Sequence, residues 1–141
     1  MPKYTLKYIQ NSDLNQKVCV LCTQGTKKAG IYELYNPGGI EISYPNERQC
    51  EEIQKIIYKI KDTANADYDA LAQKLLKIIK EIGDYTFILA CTELSILDKS
   101  YMRGVSFVDA MDILAMSLVQ KSGHKIRLVN EIYNQEIIAK L

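Results

Sequence analysis

The sequence has little net charge, no long hydrophobic run and a single histidine. Eighteen basic residues face seventeen acidic ones, which gives a formal net charge of +1, so no field of one sign exists to attract nucleic acid. No segment reaches the roughly 20 apolar residues of a membrane span, and the N-terminus has no apolar run of signal-peptide length. We therefore expect neither nucleic acid nor membrane as a partner, and we expect a cytoplasmic protein.

Sequence motifs for metals, phosphates and dinucleotides are also missing. With His124 as the one histidine, the sequence offers no obvious zinc ligand set and no convincing Cys–His dyad. It contains neither a Walker phosphate loop nor a dinucleotide-binding fingerprint. We expect no metal site, and any chemistry has to come from other residue types.

The four cysteines at positions 19, 22, 50 and 91 are expected to be reduced thiols, because the cytoplasm keeps thiols reduced. Cys19 and Cys22 have CxxC spacing, but they lie in an apolar strand, where residues three apart point to opposite faces. We expect this pair to be buried strand residues that cannot readily share a metal or a disulfide.

The order of apolar segments predicts an α/β fold in a single domain over residues 1–141. Residues 1–16 are polar and mixed, so we expect them to have little structure. Strands are expected near 17–22, 40–44, 86–91, 105–108 and 125–129, and helices near 27–35, 46–61, 68–82, 109–121 and after Asn130. Alternating strands and helices predict a mostly parallel sheet with helices on both faces. On the helix at 109–121, Ile113, Leu114 and Leu118 are expected to face inward.

Two strand ends carry residues that suit a binding site, which in open α/β sheets lies beyond the carboxyl ends of the strands. Thr23-Gln24-Gly25-Thr26 follows the first strand and offers two hydroxyls, a glycine and the start of a helix, which suits a carboxylate or a phosphate. The alternative stays open that Thr26 only caps the helix and Gly25 only allows the turn.

Cys91-Thr92-Glu93 follows the clearest buried strand. A thiol at such a place can have a lowered pKa and act as a nucleophile or a proton carrier. Thr92 adds a hydroxyl and an amide, and Glu93 is placed to orient the thiol or raise its basicity. The alternative is a buried cysteine that packs against the sheet. Tyr58 and Lys61 are candidates for a polar helix face, or for exposed surface alone.

These segments together resemble a known family. Thr23–Thr26, residues 56–61 on a long helix, Cys91-Thr92-Glu93-Leu94 and residues 105–109 occur in the order seen in the C-terminal half of the cofactor-independent aspartate/glutamate racemases. The resemblance covers about residues 17–121. The Cys-Thr-Glu-Leu stretch is its most specific element, and it resembles the aspartate racemase branch, since glutamate racemases usually carry His where Glu93 stands.

The resemblance implies amino-acid racemisation without PLP or any other cofactor, with a small acidic amino acid as substrate. In that family two cysteines, one from each half of a two-domain protein, flank the substrate α-carbon and exchange its proton. Cys91 would be one of these acid/base groups, and Thr92 would bind the substrate carboxylate. The other residues implied are those that line or close the same pocket: Thr23, Gly25, Thr26, Tyr58 and Lys61.

The family's second cysteine, followed by Asn and Thr, has no counterpart among Cys19, Cys22 and Cys50. We therefore expect a truncated racemase that needs a second chain to complete its site. That chain is either a separate N-terminal half or a second copy, since a two-fold homodimer places two Cys91 thiols face to face. Two alternatives remain: an inactive remnant that binds acidic amino acids or a protein partner, and a different thiol enzyme, hydrolytic or redox, on a related fold.

Overall fold

The computed structural model describes residues 1–62, 64, 66–124 and 137, and the expected strand at 125–129 and the helix after Asn130 lie outside them. Within the described residues there are four strands, namely β1 Lys17–Leu21, β2 Glu41–Ser43, β3 Thr86–Leu89 and β4 Phe107–Asp109. The α-helices are α1 Pro2–Gln10, α2 Gln24–Lys28, α3 Ile31–Leu34, α4 Glu47–Lys61, α5 Tyr68–Ile82 and α6 Ala110–Lys121. Two short 3₁₀ helices, Leu94–Ile96 and Lys99–Met102, lie between β3 and β4.

The strands form one sheet in the order β2-β1-β3-β4, and every neighbouring pair is parallel. In the register, Leu21 of β1 lies opposite Leu89 of β3, and Leu89 lies opposite Asp109 of β4. The carboxyl ends of these three strands therefore meet at one edge of the sheet.

Helices cover both faces of the sheet, which confirms the predicted α/β architecture. Along β1, Val18 and Val20 face a core shared with α1, α3 and α6, whereas Cys19 and Leu21 face a core shared with α4 and α5. Because side chains alternate along a strand, each strand contributes to both cores. This explains why β1 and β3 are almost continuous apolar runs.

The expectation of little structure at residues 1–16 was wrong. Residues Pro2–Gln10 form α1, which packs against α6, and both Leu6 and Ile9 are fully buried. Apolar side chains recur at helical spacing in this segment, but the polar residues between them make the pattern hard to recognise in the sequence. The helix is stabilised by the tertiary contact that its apolar face makes.

Other sequence expectations were wrong in detail. The helix expected over 27–35 is two helices, because Gly30 has a φ of 59°, a left-handed conformation that breaks the helix and suits glycine. Leu118, expected to face inward, is 57% exposed. The connection from Thr92 to Gly104 is not a plain loop, since it contains the two 3₁₀ helices.

Helix α4 matters for the site because its last turns carry Tyr58 and Lys61. Asn46 begins this helix with a capping box: its side chain accepts a hydrogen bond from the amide of Gln49, and the Gln49 side chain accepts one from the amide of Asn46. Ile53 and Ile57 then bury one stripe of the helix against the sheet. Among the helices of the described residues, none is long and apolar enough to cross a lipid bilayer.

Candidate active site

The ends of β1 and β3 bring the two predicted site segments to the same edge of the sheet. The amide of Ala90 donates to the carbonyl of Leu21 at 2.9 Å, so the two strands remain paired up to their last residues. Thr23 and Cys91 each follow by two residues the pair Leu21 and Leu89, the last in the register, so both segments leave the same edge of the sheet.

Cys91 and Glu93 are in direct contact. The Cys91 Sγ donates to Oε2 of Glu93 at 2.8 Å, and the hydroxyl of Thr92 donates to the same oxygen at 3.1 Å. Lys61, at the end of α4, approaches the other carboxylate oxygen at 3.4 Å. Three predicted site residues thus contact the Glu93 carboxylate. It accepts hydrogen bonds from the Cys91 thiol and the Thr92 hydroxyl, and it forms an ion pair with the Lys61 ammonium.

This arrangement favours a neutral thiol beside an ionised carboxylate. Burial, together with the hydrogen bond to Glu93, raises the pKa of Cys91 to about 11. The hydrogen bond from Cys91 lowers the pKa of Glu93 to about 2. The lowered thiol pKa expected from a strand-end position was therefore wrong, because the nearest charge to the sulfur is negative and the sulfur is half-buried.

Cys91 differs from the other thiols in its exposure. It is half-buried, whereas Cys19, Cys22 and Cys50 are buried. Cys19 and Cys22 lie in the cores on opposite faces of the sheet, as the strand spacing predicted. Burial raises the pKa of each to about 12. Cys50 donates to the carbonyl of Pro45 at 3.1 Å. Of the four, Cys91 is the thiol open to a ligand.

The Thr23–Thr26 turn forms the start of α2. The side chain of Thr23 caps the helix by accepting from the amide of Thr26 at 3.3 Å, and the two hydroxyl oxygens lie 3.1 Å apart. A Cβ placed on Gly25 would meet its nearest atom, Oγ1 of Thr23, at 3.8 Å, an ordinary contact. A methyl group at position 25 would therefore fit beside the described residues without a clash.

A cavity of about 550 Å³ opens between this turn and α4. Its lining includes four of the predicted residues and four that the sequence analysis missed: Thr23, Gly25, Tyr58 and Lys61, and Gln24, Glu51, Gln54 and Lys55. Cys91, Thr92 and Thr26 do not line it, but Lys61 does, and Lys61 also contacts Glu93. Lys61 thus links the cavity to the thiol.

Two groups of residues near the site had no clear sequence signal. Gln54 accepts from the amide of Gln24 at 3.2 Å, and its position one helical turn before Tyr58 was the available hint. Lys99 pairs with the buried Asp109 at 2.8 Å, and the sequence pattern marks Asp109 only as the start of the helix expected at 109–121. In the part of the chain that the structure describes, no three His, Cys, Asp or Glu side chains form a group that could hold a metal ion.

Comparison with known proteins identifies the family. The model of the Asp/Glu/hydantoin racemase family matches residues 1–118. The chain belongs to this family. The match includes α1, so the likeness to these racemases begins earlier than the sequence resemblance over residues 17–121.

A solved racemase structure has the same fold as this chain. It is the aspartate racemase of Picrophilus torridus, with a TM-score of 0.71 and 21% sequence identity. The alignment covers 99% of this chain and 56% of that protein. The chain therefore spans little more than half the length of the racemase it matches.

Proposed function

We propose that the chain is the Cys91-bearing part of a PLP-independent amino-acid racemase that acts on acidic amino acids. The observation that carries the proposal is the contact of Cys91 with Glu93, at the carboxyl edge of the sheet beside the Thr23–Thr26 turn. Of the four thiols, Cys91 alone combines partial exposure with a proton acceptor within hydrogen-bonding distance at this edge. Racemase family membership gives that geometry its chemical meaning.

Because its pKa is high, Cys91 is a proton donor in the resting site. As a neutral thiol it is ready to donate its proton to an α-carbanion, while a base on the opposite face of the substrate takes the original α-proton. Donation of that proton leaves Cys91 as a thiolate, which is the state from which the reverse reaction starts. The resulting thiolate then removes the α-proton from its own side.

Inversion needs a second proton carrier, and the buried positions of Cys19, Cys22 and Cys50 make them unsuitable. We infer that a second chain brings it, either a separate polypeptide with the remaining part of the racemase or a second copy of this chain. In a two-fold homodimer, the carboxyl edges of the two sheets face each other and each Cys91 serves the other's substrate face.

The substrate is held by polar groups around the cavity. The Thr23–Thr26 turn offers hydrogen-bond donors to the α-carboxylate, and Thr92, which lies outside the cavity lining, joins them when its hydroxyl turns from Glu93 to the substrate. Lys61 supplies a positive charge for the second carboxylate of an acidic amino acid. Tyr58 lines the cavity and is 62% exposed, so it is available to close over a bound substrate or to contact the second chain.

The proposal is tested by racemisation of D- and L-aspartate, D- and L-glutamate and a substituted hydantoin, followed by chiral chromatography over a range of protein concentrations. A homodimeric site predicts turnover per chain that rises with protein concentration. A separate second chain predicts turnover only after that chain is added. Inversion of none of these substrates in either setting contradicts the proposal and favours the inactive binding protein.

Gly25→Ala tests whether the substrate carboxylate binds at the Thr23–Thr26 turn. The described chain has room for the new methyl group, and alanine is a better helix residue than glycine by up to about 1 kcal/mol. Folding should therefore be preserved. A substrate carboxylate that approaches the backbone of this turn should bind more weakly in the variant, measured by the thermal shift that aspartate produces. An unchanged shift would place the ligand elsewhere.

A further inference from the structure

The connection between β3 and β4 carries the Cys91–Glu93 contact, and its two 3₁₀ helices are tied to one buried carboxylate. Ser95, in the first of them, donates to Oδ1 of Asp109 at 2.8 Å. Lys99, in the second, approaches Oδ2 of Asp109 at 2.8 Å and Oδ2 of Asp112 at 2.7 Å. Asp109 itself is fully buried at the end of β4.

Capping α6 explains only part of this arrangement. As the cap, Asp109 accepts from the amide of Met111 through Oδ1, and an exposed carboxylate would cap the helix equally well. The buried ion pair with Lys99 adds a large desolvation cost to that role. Burial lowers the pKa of Lys99, but the hydrogen bonds from Lys99 to Asp109 and Asp112 outweigh that effect, so the pKa is raised overall. An ion pair between Lys99 and Asp109 holds the connection between β3 and β4 in one geometry.

That segment includes the residues of the proposed site. Leu94 donates its amide to the carbonyl of Cys91 at 3.0 Å, and Ile96 donates to that of Glu93 at 3.2 Å, so the turn bearing the thiol and the carboxylate continues into the first 3₁₀ helix. Such short helices have poor hydrogen-bond geometry and hold their shape weakly on their own. The bond from Ser95 to Asp109 fixes the turn immediately after Glu93.

We propose that Lys99 and Asp109 are a positioning pair that holds the carboxylate of Glu93 against the thiol of Cys91. The pair acts at a distance: Lys99 and Ser95 fix the connection, and the connection fixes Glu93. The inference extends the proposed function because it takes Cys91 as the reacting group. Its test measures how the Cys91 thiol titrates, and that result can be interpreted even if the chain does not racemise any substrate.

A plain structural alternative exists, because the same connection is also anchored by apolar side chains. Leu94, Leu97 and Met102 are buried in the core beneath α5. If these anchors alone set the turn, the ion pair contributes only to stability. The two accounts differ in one respect: only the positioning account makes the reactivity of Cys91 depend on Lys99 through Glu93.

The test is a double-mutant cycle of Lys99→Met and Glu93→Gln, read by the rate at which Cys91 reacts with a neutral dipyridyl disulfide between pH 7 and 10. Loss of the carboxylate contact lowers the thiol pKa, so we expect Lys99→Met to speed the reaction about threefold at pH 8. In the Glu93→Gln background, the same substitution should have no further effect. Lys99→Arg, which keeps the charge, should react like the unsubstituted protein.

Controls separate positioning from loss of folding. Ser95→Ala breaks the tie to Asp109 without leaving a buried charge unpaired, and we expect it to speed the reaction of Cys91 in the same way, whether or not Lys99→Met folds. Arg48→Met removes an ion pair between α4 and α5 and should leave the rate unchanged. The inference is overturned if Ser95→Ala and Lys99→Met lower thermal stability while the Cys91 rate stays the same. An equal acceleration by Lys99→Met with and without Glu93 also overturns it.

Discussion

Replacing Glu93 by glutamine should make Cys91 more reactive. The substitution keeps the size of the side chain and removes the negative charge that accepts the thiol proton. In the protein, burial and the contact with Glu93 raise the pKa of Cys91 from 9.0 to about 11. Burial is the larger cause and survives the substitution, so we expect the pKa to fall by roughly one of these two units.

The expected rate follows from two opposing effects. A fall of one pKa unit increases the thiolate fraction about tenfold at pH 8. The less basic thiolate is intrinsically slower, by roughly threefold for a Brønsted coefficient of about 0.4–0.5. The net expectation is a reaction about three to four times faster with a neutral disulfide.

The assay follows release of the thiopyridone chromophore, with Cys91→Ala as the blank for the three buried thiols. Glu81→Gln is the matched control, because Glu81 pairs with Arg48 between α4 and α5 and is not among the charges that act on Cys91. A rate in Glu93→Gln equal to or below that of the unsubstituted protein would refute the coupling of thiol and carboxylate.

Three further substitutions test the surroundings of the site. Lys61→Met should raise the Cys91 pKa, because Lys61 lowers it, and should slow the disulfide reaction slightly, by less than about threefold since the ammonium is solvated. Asn46→Ala should lower the free energy of unfolding by about 1 kcal/mol through loss of the α4 cap, measured by urea denaturation, without altering the Cys91 rate. Tyr32→Phe removes a buried hydroxyl that has no hydrogen-bond partner among the described residues and should raise the free energy of unfolding by about 1 kcal/mol; destabilisation would show that the hydroxyl is satisfied in solution.

The sheet and the placement of Cys91 could be predicted because they depend on strong local patterns. The apolar runs of β1 and β3 are buried on both faces, and alternation with helices leaves few topologies other than a parallel sheet. Once the strands are parallel and adjacent, their carboxyl ends share an edge. The position of Cys91 beyond the carboxyl end of β3 could therefore be predicted, whereas the pairing of β3 with β1 is seen only in the structure.

The electrostatic state of the site could not be predicted in the same way. The sequence places Glu93 two residues after Cys91, but it does not show whether the carboxylate turns toward the thiol or toward solvent. In the structure it turns toward the thiol, which reverses the expected direction of the pKa shift. Local sequence gives the neighbours of a titratable group, whereas its pKa depends on their orientation and on burial.

Long-range polar contacts were missed for a related reason. Lys99 looks like any surface lysine in the sequence, and its pairing with Asp109 depends on how the 3₁₀ helices fold back over the end of β4. The helix α1 was missed because it is stabilised by tertiary packing, against α6 and α3 among others. Both features depend on residues distant in the chain, for which a single sequence carries little signal.

The central claim, that Cys91 exchanges a proton with the α-carbon of an acidic amino acid, is tested most directly by deuterium incorporation. D- and L-aspartate are incubated with the protein in D₂O, and loss of the α-proton signal is followed by NMR. We predict slow exchange by the chain alone, with little inversion because one thiol returns the deuteron to the face it deprotonated. The exchange should disappear in Cys91→Ala and persist in Cys19→Ala. Equal rates in the unsubstituted protein and in Cys91→Ala would contradict the account.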